Sequence, residues 1–158
     1  MNDAERDRIA RVLGRIPSGV FVLTARSAAG RTGMLASWVQ QAGFDPPTVS
    51  VAVRKGRPIE TLIDESRRFA LNVVGTDPTA MFRHFGRGFT LDQDAFAGLD
   101  ARDVEGGVAI DGVGLLACRV RNKFDAGDHW LYVGEVIRGE GDEDGTPYVH
   151  LRRNGLGY

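Results

Sequence analysis

Arg54-Lys55-Gly56-Arg57-Pro58 places three cations within four positions, just after a β-branched run that ends at Val53 and just before a proline able to open a helix. Guanidinium groups fork onto phosphate oxygens, and a helix start adds unpaired N–H groups and the positive end of a dipole. The segment has the chemistry of a phosphate seat, and equally that of a solvated charged turn. Earlier in the chain, Gly33-Met34-Leu35-Ala36-Ser37 combines small residues with a lone large aromatic that follows, Trp38. Small side chains let a flat ligand approach a strand's backbone, and this nearby stretch favours the phosphate reading. The second candidate is Asp125-Ala126-Gly127-Asp128-His129-Trp130. A Gly-Asp-His turn at a strand start sets an imidazole where it can position a substrate. The same letters describe a turn whose Asp satisfies backbone N–H groups and whose His is simply exposed.

Other chemistries lack their residues. Gly112-Val113-Gly114-Leu115-Leu116-Ala117 fits G-x-G-x-x-A, but Cys118-Arg119-Val120 continues as a strand where a dinucleotide fold needs a helix, so a hairpin turn is expected. Asp142-Glu143-Asp144-Gly145 lacks the distal Glu of a calcium loop and is expected at a solvated hairpin tip. His84, His129, His150 and Cys118 have no metal-ligand spacing, so no metal site is predicted. No G-x-S-x-G elbow supports a hydrolase. The single cysteine, Cys118, excludes an internal disulfide and any CxxC motif, and its apolar surroundings predict a small core residue.

The elements that must hold these residues follow from periodicity. Asn2 or Asp3 can cap a helix with Ile9, Val12, Leu13 and Ile16 on one face, stopped by Pro17. Strands are predicted over Val20–Ala25, from about Arg31 to Gln41, and over Thr48–Val53, Phe69–Val74, Leu115–Val120, Trp130–Ile137 and Pro147–Leu151. Pro58 opens a helix with Ile59, Leu62 and Ile63 on one face, and Asp77-Pro78 opens another through Phe85. Gly86–Val108, rich in Asp and Gly, reads as a long loop of the kind that is often functional. Six or more strands and three helices without βαβ alternation predict a mainly β fold, a β-barrel with peripheral helices.

Composition bounds the rest. A chain of 158 residues, 42% of them hydrophobic, fits one domain over 1–158 and excludes intrinsic disorder. Twenty Lys and Arg against 21 Asp and Glu argue against an electrostatic binder of nucleic acid or membrane surfaces. Only Lys55 and Lys123 are lysines; the other cations are arginines, suited to rigid forked contacts with anions. No apolar run reaches membrane-spanning length and Met1–Arg15 has no hydrophobic signal core, so a cytoplasmic protein is expected.

Pro17-Ser18-Gly19-Val20, Gly33-Met34-Leu35-Ala36-Ser37, Asp45-Pro46-Pro47, Phe69-Ala70-Leu71-Asn72-Val73 and Gly127-Asp128-His129 occur in an order that resembles the flavin reductase-like, FMN-binding split-barrel family. With Ile59-Glu60-Thr61-Leu62 and His84-Phe85, the chain looks most like the flavin reductase domain of diflavin flavoproteins. The resemblance implies a split β-barrel that forms a homodimer and holds FMN, or FAD, near the subunit interface. It implies that Gly33, Met34, Leu35, Ala36, Ser37 and Trp38 line the isoalloxazine, and that Val53, Arg54, Lys55 and Arg57 receive the ribityl phosphate. It implies that Phe82 and Phe85 cover the ring and that His129 stands at the nicotinamide edge as the catalytic residue. Two departures from the family pattern are Trp38-Val39-Gln40-Gln41, where many members carry Ser-Phe-Thr-Ser, and the cationic Arg54–Arg57 turn in place of a hydroxyl-rich one.

The implied activity is hydride transfer from NAD(P)H to flavin, with an electron-accepting protein partner as a further expectation and no nucleic acid or membrane. The alternatives are a flavoredoxin-like FMN electron carrier without nicotinamide activity, which a crowding Trp38 would favour, and a barrel that has lost flavin and serves as an interaction module.

Overall fold

The computed structural model describes residues 1–157. Helix α1 (Asp3–Gly14) begins at Asn2, whose side chain accepts from the Glu5 N–H at 2.9 Å, with Asp3 and Glu5 on the positive end of the dipole. Helix α2 (Pro58–Ser66) starts on a proline, where the missing N–H costs nothing, and buries Ile59, Leu62 and Ile63. Helix α3 (Thr79–Phe85) is entered through Asp77, whose carboxylate accepts from the Thr79 N–H at 3.1 Å.

The strands are β1 (Ser18–Gly19), β2 (Phe21–Ser27), β3 (Gly30–Ala36), β4 (Val39–Phe44), β5 (Pro47–Arg54), β6 (Arg68–Val73), β7 (Ala101–Val104), β8 (Gly107–Ile110), β9 (Gly114–Asp125), β10 (His129–Gly141) and β11 (Val149–His150). Seven of them form one antiparallel sheet in the order β3-β2-β6-β9-β10-β5-β4, while β1 pairs with β11 and β7 with β8.

Strands β3 and β4 stand at opposite edges of the sheet, yet only Ser37 and Trp38 separate them in the chain. Six strand spacings would make a flat sheet roughly 29 Å wide, and such a short link spans about 10 Å. The sheet must therefore coil until its edges meet. It is not sealed there, because β3 and β4 are not ladder partners. The chain instead crosses the gap, and the Trp38 carbonyl accepts from the Ala52 N–H of β5 at 3.0 Å. The result is the mainly β, split-barrel architecture expected, with helices at its periphery. Inside the coil, Leu23, Val51, Val53, Phe69, Leu71, Cys118 and Tyr132 pack with the apolar stripe of α2. A second cluster, with Phe85, Phe89, Phe96 and Val108, lies under the segment that follows α3.

Four expectations are corrected. The strand expected from Arg31 to Gln41 is two strands, broken at Ser37-Trp38, because the chain must pass from one sheet edge to the other. The long loop carries the β7–β8 ribbon, closed by Gly106 at φ +82° and fastened by two buried polar side chains. Thr24 Oγ1 donates to the Val108 carbonyl at 2.8 Å and accepts from its N–H at 3.0 Å, while Asn72 bonds the Val108 carbonyl and the Ile110 N–H. Gly112-Val113-Gly114 is no hairpin turn, since β8 and β9 do not pair; an added Cβ on Gly112 would lie 2.6 Å from the Val73 carbonyl. Gly141–Gly145 is no hairpin tip, because the chain beyond it bridges Pro147 to Gly75 and then pairs with β1.

Candidate functional site

A cavity of about 340 Å³ opens at the split of the barrel, a size usual for small-molecule sites. Met34, Leu35, Ala36, Ser37 and Trp38 line it from β3 and the link. Because β3 has a sheet partner on one side only, its outer N–H and C=O groups are left for something other than the sheet. Phe82 and Phe85 of α3 line the cavity together with Gly86 and Gly88, and Arg57 reaches it from the start of α2. Among the described residues, no carboxylate lines it.

Among the described residues, two groups lie against Trp38. The His129 ring centroid lies 4.8 Å from that of Trp38, and the Arg152 guanidinium carbon lies 4.9 Å from the Trp38 ring on the C-terminal segment. His129 is buried, with Nδ1 2.8 Å from Asp128 Oδ1. That bond, and the charge of the ring when protonated, hold the Asp128 carboxyl below its ordinary range. The carboxylate is thus the acceptor and His129 Nδ1–H the donor, which fixes the ring's orientation.

The structure brings Met34 to Trp38, Arg57, Phe82 and Phe85 to one cavity and leaves other expected residues outside its lining. Val53 is fully buried in the barrel interior. Arg54 is exposed, opposite His129 in the β5–β10 ladder. Lys55 is engaged elsewhere, with Nζ 2.7 Å from Asp125 Oδ1 and 4.3 Å from the Trp130 ring centroid. Gly33 borders a narrow crevice beside the cavity, and a Cβ there would stand 3.0 Å from Phe85 Cε1, so its smallness makes room for that ring. His129 lies against the Trp38 ring and is not among the residues lining the cavity.

The sequence reading missed Val20, Ala52, Gly86, Gly88, His150 and Arg152. Gly86 and Gly88 were visible as a glycine pair directly after the α3 pattern. His150 and Arg152 gave no local signal, because the β1–β11 pairing carries them to the site across the whole chain.

A wider notch of about 660 Å³ lies away from the split, at Arg26, Arg31, Arg68, Asp103 and Glu105. Its charged side chains are engaged with one another: Arg26 and Arg31 share Asp103, at 2.6 and 3.0 Å, and Arg68 bonds Glu105. It leaves little for a ligand. A second charged cluster joins α2 to the barrel. Lys123 Nζ lies 2.7 Å from Asp64 Oδ2 and 3.4 Å from Glu60 Oε1, and the buried Tyr132 hydroxyl donates to Asp64 Oδ1 at 3.1 Å. Burial, the largest single influence, opposes the Lys123 charge, but Asp64 and Tyr132 together outweigh it and hold the ammonium above its usual range. Burial pushes the Tyr132 phenol up to about 12. Glu60 Oε2 also accepts from the Gly56 N–H at 3.0 Å, shaping the turn that presents Arg57.

Among the described residues, no group of three or more His, Cys, Asp or Glu side chains is placed to hold a metal ion, and no helix is long and apolar enough to cross a membrane.

An antiparallel barrel split along one side, with an aromatic and arginine-bearing cavity in the split, defines the class: a split-barrel ligand-binding protein. Residues 13–155 match the model of the flavin reductase like domain, and the chain belongs to that family. It is 34% identical to diflavin flavoprotein A 1 of Synechocystis sp. over 95% of its own length, and spans 27% of that relative. Among solved structures it is similar to the NADH:FAD oxidoreductase SgcE6 of Streptomyces globisporus C-1027, at 25% identity and a TM-score of 0.86, covering 96% of this chain and 91% of that one. It shares its fold with a flavoredoxin from Methanosarcina acetivorans, at 22% identity and a TM-score of 0.69, covering 83% of this chain and 74% of the other.

Proposed function

We propose that the chain binds FMN, or the FMN half of FAD, in the split of the barrel and acts as an NAD(P)H-dependent flavin reductase. One observation carries this reading: within the family-matched region, the free edge of β3, the aromatic rings of Trp38 and Phe82, and the guanidinium of Arg57 line one cavity to which no described residue adds a carboxylate. Flat apolar walls suit an isoalloxazine, a strand edge suits its polar rim, and an unopposed cation suits its phosphate. The likeness to an NADH:FAD oxidoreductase supports nicotinamide as the electron source.

Bound flavin supplies the redox chemistry by accepting a hydride from the nicotinamide. The chain's own residues bind and orient. The β3 edge and the link present backbone groups to the pyrimidine rim, where N–H donors stabilise negative charge. Arg57 anchors the phosphate without touching the reacting atoms. His129, oriented by Asp128, sets the tilt of Trp38 and is therefore a positioning residue for the nicotinamide side. Arg152, stacked on the same ring, adds a cation.

The homodimer is supported by an apolar face. Ile9, Val12 and Ile16 are exposed beside the C-terminal segment, which carries exposed Val149, Leu151 and Leu156 and is tied to α1 by the Arg152 N–H on the Gly14 carbonyl and the Gly155 N–H on the Ala10 carbonyl.

An absorption spectrum of the protein with FMN, before and after anaerobic NADH, tests the reading. Bound yellow flavin that bleaches supports it. Bound flavin that NADH leaves oxidised supports the second reading, an electron carrier, which the occupied surroundings of Trp38 favour. No bound flavin removes both.

A further inference from the structure

The cavity carries a cation at each end. Arg57, Met34 and Gly88 also border the narrow crevice at Gly33, which puts them together at one end. Trp38, Ala52 and Arg152 mark the other: the Trp38 carbonyl bonds the Ala52 N–H at 3.0 Å, and the Arg152 guanidinium carbon lies 4.9 Å from the Trp38 ring centroid. Four residues, roughly 13 Å of extended chain, separate Met34 from Trp38. Arg152 is half-buried, and among the described residues no carboxylate pairs with it. The indole ring steers the guanidinium without neutralising it. The backbone beneath is fixed to α1: the Arg152 N–H donates to the Gly14 carbonyl at 3.2 Å and the Gly155 N–H to the Ala10 carbonyl at 2.8 Å. Two glycines allow that approach. An added Cβ on Gly14 would lie 2.7 Å from the Arg152 carbonyl oxygen, and one on Gly155 would strike Leu13. Arg152 is therefore anchored by contacts that do not involve its side chain, which is left to face the cavity.

A flavin whose phosphate sits at Arg57 turns its ring toward Trp38 and Arg152. The oxidised ring is neutral, and hydride addition brings negative charge onto its pyrimidine rim. A cation at that rim interacts more strongly with the reduced ring than with the oxidised one, and so shifts the balance toward reduction. A cation on the phosphate binds both forms alike. We propose that Arg152 sets the redox balance of bound flavin: its guanidinium meets the pyrimidine rim and makes the chain hold reduced flavin more tightly than oxidised flavin. The inference rests on the flavin reading above and concerns the end of the cavity that Arg57 does not serve. A chain built this way retains the reduced flavin until an acceptor takes its electrons.

The test is the Kd for oxidised FMN together with the midpoint potential of the FMN-loaded chain, titrated anaerobically against a reference dye. In the parent, reduced FMN should bind at least tenfold more tightly than oxidised FMN. For a two-electron couple that is a rise of about 30 mV over free FMN. Arg152→Gln should remove most of this ratio, and Arg152→Lys, which keeps the charge, should hold it within threefold of the parent. Arg57→Gln should weaken both forms by a similar factor and leave the potential in place. Both Arg152 variants keep the backbone bonds to α1, and a circular dichroism melt at the parent's temperature checks this. A parent ratio near one overturns the proposal without any variant. A parent ratio that survives in Arg152→Gln also overturns it, and leaves Arg152 as a prop for Trp38 that changes both affinities together. FMN that fails to bind the parent in either form overturns the flavin reading and this inference with it.

Discussion

Two charged regions meet at α2, and they are built in opposite ways. Where α2 faces β9 and β10, Lys123 has carboxylates of Glu60 and Asp64 within reach, Asp64 also takes the Tyr132 hydroxyl, and Lys55 is matched by Asp125. Where α2 begins, Arg57 enters a cavity lined by aromatic rings and, among the described residues, by no carboxylate. The first arrangement compensates its charges internally, as a partly buried cluster must if it is not to destabilise the fold. The second leaves a cation for something outside the chain. The contrast separates side chains that hold the barrel from side chains proposed above to hold a ligand, although both belong to one short helix and its entry turn.

The comparison can be broken by substitution. Arg57→Ala should weaken FMN binding roughly thirtyfold, the loss of about 2 kcal/mol expected for a charge-assisted hydrogen bond. Its melting temperature should stay at that of the parent, and turnover at saturating FMN should stay close to it; an equal loss of turnover would remove Arg57 from a purely anchoring role. Lys123→Met should do the reverse, lowering unfolding free energy by about 1.5 kcal/mol by stranding Glu60 and Asp64. Its FMN affinity should move less than threefold in a fluorescence titration. A shift as large as that of Arg57→Ala would show that the two regions act as one through Glu60 and Gly56.

His129→Ala sharpens the ligand side. Loss of orientation at the nicotinamide edge should slow flavin reduction roughly tenfold in stopped-flow traces, with a smaller change in FMN affinity. Reduction rates matching the parent would take His129 out of the chemistry. The smallest effect belongs to the barrel interior. Burial pushes the Cys118 thiol from its ordinary value of 9.0 up to about 12. The folded chain keeps a proton that the unfolded chain loses, so this contribution is complete below about pH 9 and declines as pH rises toward 12, by only about 0.4 kcal/mol at pH 9 itself. Cys118→Ala should flatten the alkaline limb of a stability–pH curve, and the folded parent should resist iodoacetamide at pH 8.

The fold was largely legible because its strands carry their own periodicity: Val49, Val51 and Val53 alternate into the core, and Ile59, Leu62 and Ile63 mark the inner face of α2. The break at Ser37-Trp38 was not legible. Nothing local interrupts the strand pattern there; the interruption is imposed by where the sheet's two edges lie. The same holds for the site. Met34 to Trp38 and Arg57 could be read from residue type and neighbourhood. Lys55 could not be separated from Arg57 in that way, since only the fold shows that Asp125 and Trp130 claim one of them. His150 and Arg152 depend on a pairing between distant strands that no window of sequence contains.

The link at Ser37-Trp38 both stitches the sheet together and forms part of the cavity lining. Lengthening it would loosen the closure it enforces, so descent with modification has little freedom to retune the pocket at that point. New preferences have to be acquired through the segment after α3 and through the residues around His150 and Arg152, which can vary without opening the barrel.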